Sequence, residues 1–181
     1  NILPLSKDLQ TLVVAGKGAD NLGMQCGGWS IEWQGGQGDI TIGTTILDGI
    51  KKTVSESTEI IYSEDGSDVV PNSDNIAVVV IGEDPYTEWF GDKESLDLNN
   101  DDINLIKSLK DKGFKVAVLL ISGRPLNVAD HIDQWDAFAA IWLPGTEGDG
   151  VSDILFGDFN SKGRLSFPWP IDTEDGSNAE K

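Results

Sequence analysis

The chain has 181 residues, with 13 Lys and Arg against 31 Asp and Glu, a formal net charge of −18 and a pI near 4.1. It is long enough for one α/β domain with a well-buried core and too short for a two-domain protein with an ample barrel. Nucleic acid and anionic membrane both require a basic footprint, so the charge excludes them as partners. Cys26 is the single cysteine, so no disulfide forms within the chain, and it is expected to be a small buried packing residue. No apolar run reaches the length of a membrane span. No secretory leader opens the sequence, which starts at Asn1 and reads as a piece of a longer polypeptide.

In chain order, residues 11–15 form a short apolar run, expected to be a buried strand. Gly16-Lys17-Gly18 follows, but the dinucleotide fingerprint fails at its third glycine and no Walker lysine with a following Ser or Thr is present. Residues 23–43 are a long glycine-rich segment holding Trp29 and Trp33, and loops of that length inside a domain are usually functional. Residues 44–54 place Ile46, Leu47, Ile50 and Val54 on one helical stripe. Runs at 59–62 and 76–81 read as further buried strands.

The second of these strands opens into Gly82-Glu83-Asp84-Pro85-Tyr86-Thr87-Glu88-Trp89-Phe90-Gly91-Asp92. Two glutamates among aromatic residues at a sheet edge fit sugar chemistry, because ring faces pack on pyranoses and a desolvated carboxyl drifts towards general-acid duty. A solvated acidic loop and a calcium clamp are the alternatives. Residues 101–112 carry a second helical stripe started by Asp101 or Asn100, with Gly113 as its stop signal. Strands are expected at 115–121 and 138–143, a helix at 148–156 and a late edge strand at 163–168. Residues 1–170 thus read as one α/β domain, a three-layer sandwich with a mostly parallel sheet of about six strands and helices on both faces. Residues 171–181 read as an acidic tail.

His131 stands near Asp130 and Asp133, but no nucleophile elbow accompanies it, so it is expected on a helix face. Asp39 and Asp48 lack EF-hand spacing. No metal and no cofactor is expected. Arg124, in Ser122-Gly123-Arg124-Pro125, and Glu147, in Trp142-Leu143-Pro144-Gly145-Thr146-Glu147-Gly148, leave their strands at the same carboxyl edge as the acidic loop.

The ordered series Leu3-Pro4-Leu5, Gly27-Gly28-Trp29, Gly82-Glu83-Asp84-Pro85-Tyr86-Thr87-Glu88, the Ser122 and Trp142 motifs, Leu155-Phe156-Gly157-Asp158-Phe159-Asn160 and Gly163-Arg164-Leu165 resembles the C-terminal α/β-sandwich domain of glycoside hydrolase family 3. Within that family it is most similar to the exo-β-glucanase and β-glucosidase branch. The resemblance implies a retaining enzyme acting on a β-glucan or β-glucoside, with the nucleophilic aspartate on an N-terminal TIM-like barrel of the same polypeptide. It places the acid/base on Glu88, with Glu83 as fallback, and sugar stacking on Trp29. Trp89 and Phe90 depart from the small or polar residues that the resemblance implies after that glutamate, and Trp89 is a further substrate-binding candidate. Arg124 and Glu147 are assigned to loop structure before substrate contact. The resemblance also implies a periplasmic or secreted enzyme and an inert isolated chain. A stand-alone carbohydrate-binding module is the alternative.

Overall fold

Apolar runs free of charged residues have no face to offer water, so they collect at the centre of a parallel sheet with helices laid over both sides. The computed structural model describes residues 2–165 and Trp169. Its strands are β1 (Thr11–Ala15), β2 (Glu59–Ser63), β3 (Ile76–Gly82), β4 (Lys115–Ile121) and β5 (Ala137–Trp142). All are parallel, in the order β2-β1-β3-β4-β5. β1, β3 and β4 are buried almost throughout, whereas β2 and β5 are half-buried. The helices are α1 (Leu22–Cys26), α2 (Ile46–Thr53), α3 (Asn100–Asp111), α4 (Ala129–Ile132) and α5 (Gly148–Leu155).

Strand alternation divides the interior in two. Leu12, Val14, Val78, Val80, Leu119 and Ile121 point to one face, where Met24 of α1, Ile46 and Ile50 of α2 and Val151 and Leu155 of α5 cover them. Val13, Val79, Ile81, Val118 and Leu120 point to the other, beneath Leu105, Ile106 and Leu109 of α3. This is the expected three-layer arrangement, with five described strands.

Local chemistry explains where the boundaries differ from expectation. The Thr45 hydroxyl accepts a hydrogen bond from the Asp48 amide at 3.1 Å, so α2 begins at Ile46, the first residue of its apolar stripe and two residues after the start of the expected segment 44–54. The Asn99 side chain accepts from the Asp101 amide at 2.9 Å, so the start signal for α3 is Asn99, one residue earlier than expected. Gly113 follows that helix at φ 90°, as a stop signal should. The short helices α1 and α4 are too brief to carry an apolar stripe of their own, so periodicity does not announce them. Of the late edge strand, residues 163–165 have no regular structure and 166–168 lie outside the described residues, as does the acidic tail. Trp169 packs on Phe138 and Trp142 and donates to the Leu126 carbonyl at 3.0 Å.

Leu119 lies at the middle of β4 and is 1% exposed. Truncating it to alanine should lower the unfolding free energy by about 2–5 kcal/mol, the usual cost of a large-to-small change in a close-packed core. Urea unfolding followed by circular dichroism measures this, and a loss below about 1 kcal/mol would mean that β4 is not the packed centre.

Candidate active site

Strand order reverses between β1 and β3, and in open parallel sheets ligands bind outside the carboxyl ends of the strands around such a point. β3 delivers Glu83 there with little freedom. A Cβ on Gly82 would fall 2.0 Å from the Ile121 carbonyl oxygen, so glycine alone permits the close approach of β3 to β4. The Glu83 amide then donates to that carbonyl at 3.0 Å, extending the ladder one residue past the strand.

The Glu83 side chain is 4% exposed. Its Oε1 accepts from Arg124 Nη2 at 2.8 Å, Arg124 Nε at 3.2 Å and Lys93 Nζ at 3.2 Å. Its Oε2 is buried with no hydrogen-bond partner among the described residues. The Arg124 guanidinium lies 4.4 Å from the centroid of the Tyr86 ring. Burial first and the Glu83 charge second push the Tyr86 phenol up to about 12, with Arg124 offsetting part of the rise. Glu83 lines two cavities. One, of about 230 Å³, lies towards Lys93 and Asp102; the other, of about 120 Å³, lies towards Gly28, Gly123 and Leu143.

Glu88 occupies different surroundings. It opens a 3-10 turn, Glu88–Gly91, at φ 47°, is exposed, and its side chain makes no hydrogen bond among the described residues. The structure therefore separates the two sequence candidates into one held carboxylate and one free carboxylate.

The glycine-rich segment folds against this loop. A Cβ on Gly28 would lie 2.1 Å from the Tyr86 carbonyl oxygen, so Trp29 is carried in only because position 28 has no side chain. The Thr87 amide donates to Gln34 Oε1 at 3.0 Å, tying the two loops together. Trp29, Trp89 and Phe90 are 68%, 61% and 64% exposed and Trp33 is 43% exposed, so the expected exposure of Trp29 is observed. Glu147 is exposed and accepts from the Thr146 hydroxyl at 3.0 Å, whereas Arg124 enters the site through Glu83.

Sequence reasoning missed three residues. Gln25, fully buried in α1, donates to the Thr44 and Gly145 carbonyls at 3.1 and 3.0 Å and accepts from the Ile46 amide at 2.9 Å, fastening the loops around the site. Nothing in its local sequence signals this. Lys93 stands one residue past the recognised loop. Asp102 was visible only as a first-turn acid of α3; it is buried beside Lys17 and Gly82, and Lys17 pairs with Asp84 at 3.0 Å. His131 lies half-buried in α4 and lines neither cavity. Cys26 is half-buried, less enclosed than expected, because it is the last residue of α1 at the mouth of the glycine-rich segment; burial still pushes its thiol up. Among the described residues no group of three or more His, Cys, Asp or Glu gathers to hold a metal, and no helix is long and apolar enough to cross a membrane.

The family model for the glycosyl hydrolase family 3 C-terminal domain matches residues 1–181. A lysosomal beta glucosidase of Dictyostelium discoideum is 32% identical, over 97% of this chain and 24% of its own length. A periplasmic beta-glucosidase of Salmonella typhimurium is 27% identical, over 93% of this chain and 26% of its own. The crystal structure of an exo-1,3/1,4-beta-glucanase from a Pseudoalteromonas species superposes with a TM-score of 0.77 at 42% identity, covering 85% of this chain and 20% of that one. The chain thus spans about a quarter of the length of the curated relatives it matches.

Burial raises the Asp102 carboxyl from 3.8 to about 6, with Lys17 and the Gly82 amide opposing the rise. A folded-state value above the unfolded one means that the native protein binds the proton more tightly. The stability this confers is full below 3.8 and is lost as pH rises through about 6. Denaturant titrations across that window should show the decline, and Asp102→Asn should remove it; an unchanged slope in the variant would locate the titration elsewhere.

Proposed function

Because the chain belongs to glycosyl hydrolase family 3 as its C-terminal domain, we propose that it supplies the acid/base glutamate and the sugar-stacking aromatics of a retaining, exo-acting β-glucosidase or β-glucanase. The nucleophile of this enzyme belongs to an N-terminal TIM-like barrel of the same polypeptide. The substrate is a β-glucan or β-glucoside, and the enzyme is periplasmic or secreted.

One observation carries the choice of acid/base: Glu88 is an exposed carboxylate with no hydrogen bond among the described residues, beside the exposed Trp89, whereas Glu83 is buried and held through Oε1 by Arg124 and Lys93. An acid/base exchanges protons with the glycosidic oxygen and with water, so it needs a carboxyl that the substrate can reach; the enclosed Glu83 instead braces the loop that carries Glu88. In glycosylation, the protonated Glu88 gives its proton to the glycosidic oxygen as the barrel carboxylate, roughly 5–5.5 Å away in retaining enzymes, attacks the anomeric carbon. In deglycosylation, the Glu88 carboxylate takes a proton from the water that attacks that carbon and releases the sugar from the barrel carboxylate. Trp29 stacks on the first sugar of the leaving group, and Trp89 extends that aromatic side.

The two cavities that Glu83 lines support a second reading, in which Glu83 is the acid/base. Glutamine substitution in the complete enzyme separates the two. With Glu88→Gln, turnover of substrates with poor leaving groups should fall roughly 100- to 10,000-fold, activated aryl glucosides should lose less, and azide should restore their turnover. If Glu83→Gln shows that pattern instead, the roles exchange. If neither does and the chain binds sugar without any hydrolysis by the complete protein, the domain is a binding module.

A further inference from the structure

The aromatic surface extends beyond the two rings that the proposed mechanism uses. Trp33 meets three others: Trp29 at 6.4 Å between centroids, Trp89 edge-on at 5.4 Å and Phe90 edge-on at 6.0 Å. Trp89 and Phe90 are 6.1 Å apart. Four large rings therefore form one continuous surface across two loops, on the edge of the sheet that presents Glu83. Tilted and edge-on contacts of this kind hold the rings against one another, which makes the surface a preformed platform rather than independent side chains.

A contiguous exposed apolar patch with a polar margin marks a binding surface. Its surroundings select the occupant. Glu88, Asp92 and Glu94 are exposed carboxylates beside the rings, and the chain carries −18 overall, which disfavours an anionic ligand. Apolar faces interleaved with exposed carboxylate acceptors suit a neutral polyol, whose C–H face stacks while its hydroxyls bond.

We infer that Trp33, Trp89 and Phe90 form an outer acceptor-side subsite, beyond the sugar stacked on Trp29, which holds a further β-linked glucosyl unit of the leaving group. This rests on the glycosidase reading above. Oligosaccharides of three or more units are then preferred over disaccharides.

The test measures kcat/KM of the complete enzyme for cellobiose, cellotriose, laminaribiose and laminaritriose in the wild type and in Phe90→Ala, Trp89→Ala and Trp89→Tyr. The triose-to-biose ratio should fall about tenfold in the alanine variants, as losing a well-packed aromatic contact to a ligand does, and recover in Trp89→Tyr, which keeps a ring and controls for misfolding. An equal loss on all four sugars overturns the subsite. So does failure of acrylamide to quench these tryptophans in the sugar-free enzyme, because the barrel rather than substrate would then cover them. A wild-type enzyme that hydrolyses none of the four sugars would overturn the glycosidase reading itself, whereas a uniform loss in the variants leaves that reading intact.

Discussion

A carboxylate removed from water at the end of a strand must be met by charge, and the pairing of Glu83 with Arg124 and Lys93 meets that need. The pair joins the loop after β3 to the loop after β4. Because the guanidinium also stacks on Tyr86, it fixes the middle of the acidic loop as well as its root. Tyr86 in turn excludes side chains at several neighbours. A Cβ on Gly91 would stand 2.2 Å from its ring, one on Gly123 2.8 Å from its hydroxyl and one on Gly28 2.1 Å from its carbonyl oxygen. Removing Arg124 would leave the buried Glu83 with Lys93 alone and would loosen three loops together.

This arrangement shows how a domain with an ordinary hydrophobic interior can present a precise polar edge. Gln25 performs the neutral version of the same task, with its three hydrogen bonds gathering the segment before α2 and the turn before α5. Buried polar groups of this kind are tolerated only when satisfied, and then they specify one arrangement of the chain around them. The unmet atoms, Glu83 Oε2, Gln34 Nε2 and Thr87 Oγ1, belong to the two loops facing the proposed substrate.

The sheet was legible because parallel strands buried on both faces leave unbroken Val, Ile and Leu runs, and all five described strands coincide with such runs to within a residue or two. The glycines of the site loops and the exposure of Trp29 could be read for a similar reason, since a close backbone approach or an unpartnered ring has a compositional mark. What could not be read was partnership. Glu83 and Glu88 are both plausible by spacing, and only the position of Arg124, 41 residues away, distinguishes them. Lys93, Gln25 and Asp102 act through contacts that no local pattern encodes, while helix starts moved because a side-chain cap can sit a residue or two away from the apolar stripe it serves.

Trp29, Ile31 and Glu88 hold left-handed backbone angles, with φ of 62°, 66° and 47°, that only glycine adopts without penalty. Each such residue costs of order 1 kcal/mol or more, which the surrounding contacts must offset. A search for heat-resistant variants would thus be drawn to these positions, where glycine relieves the strain at once. The gain would come at the loops that must hold a sugar still, so thermal tolerance and turnover would move in opposite directions along this edge, while helix caps and the surfaces of α2 and α3 remain open to improvement without that conflict.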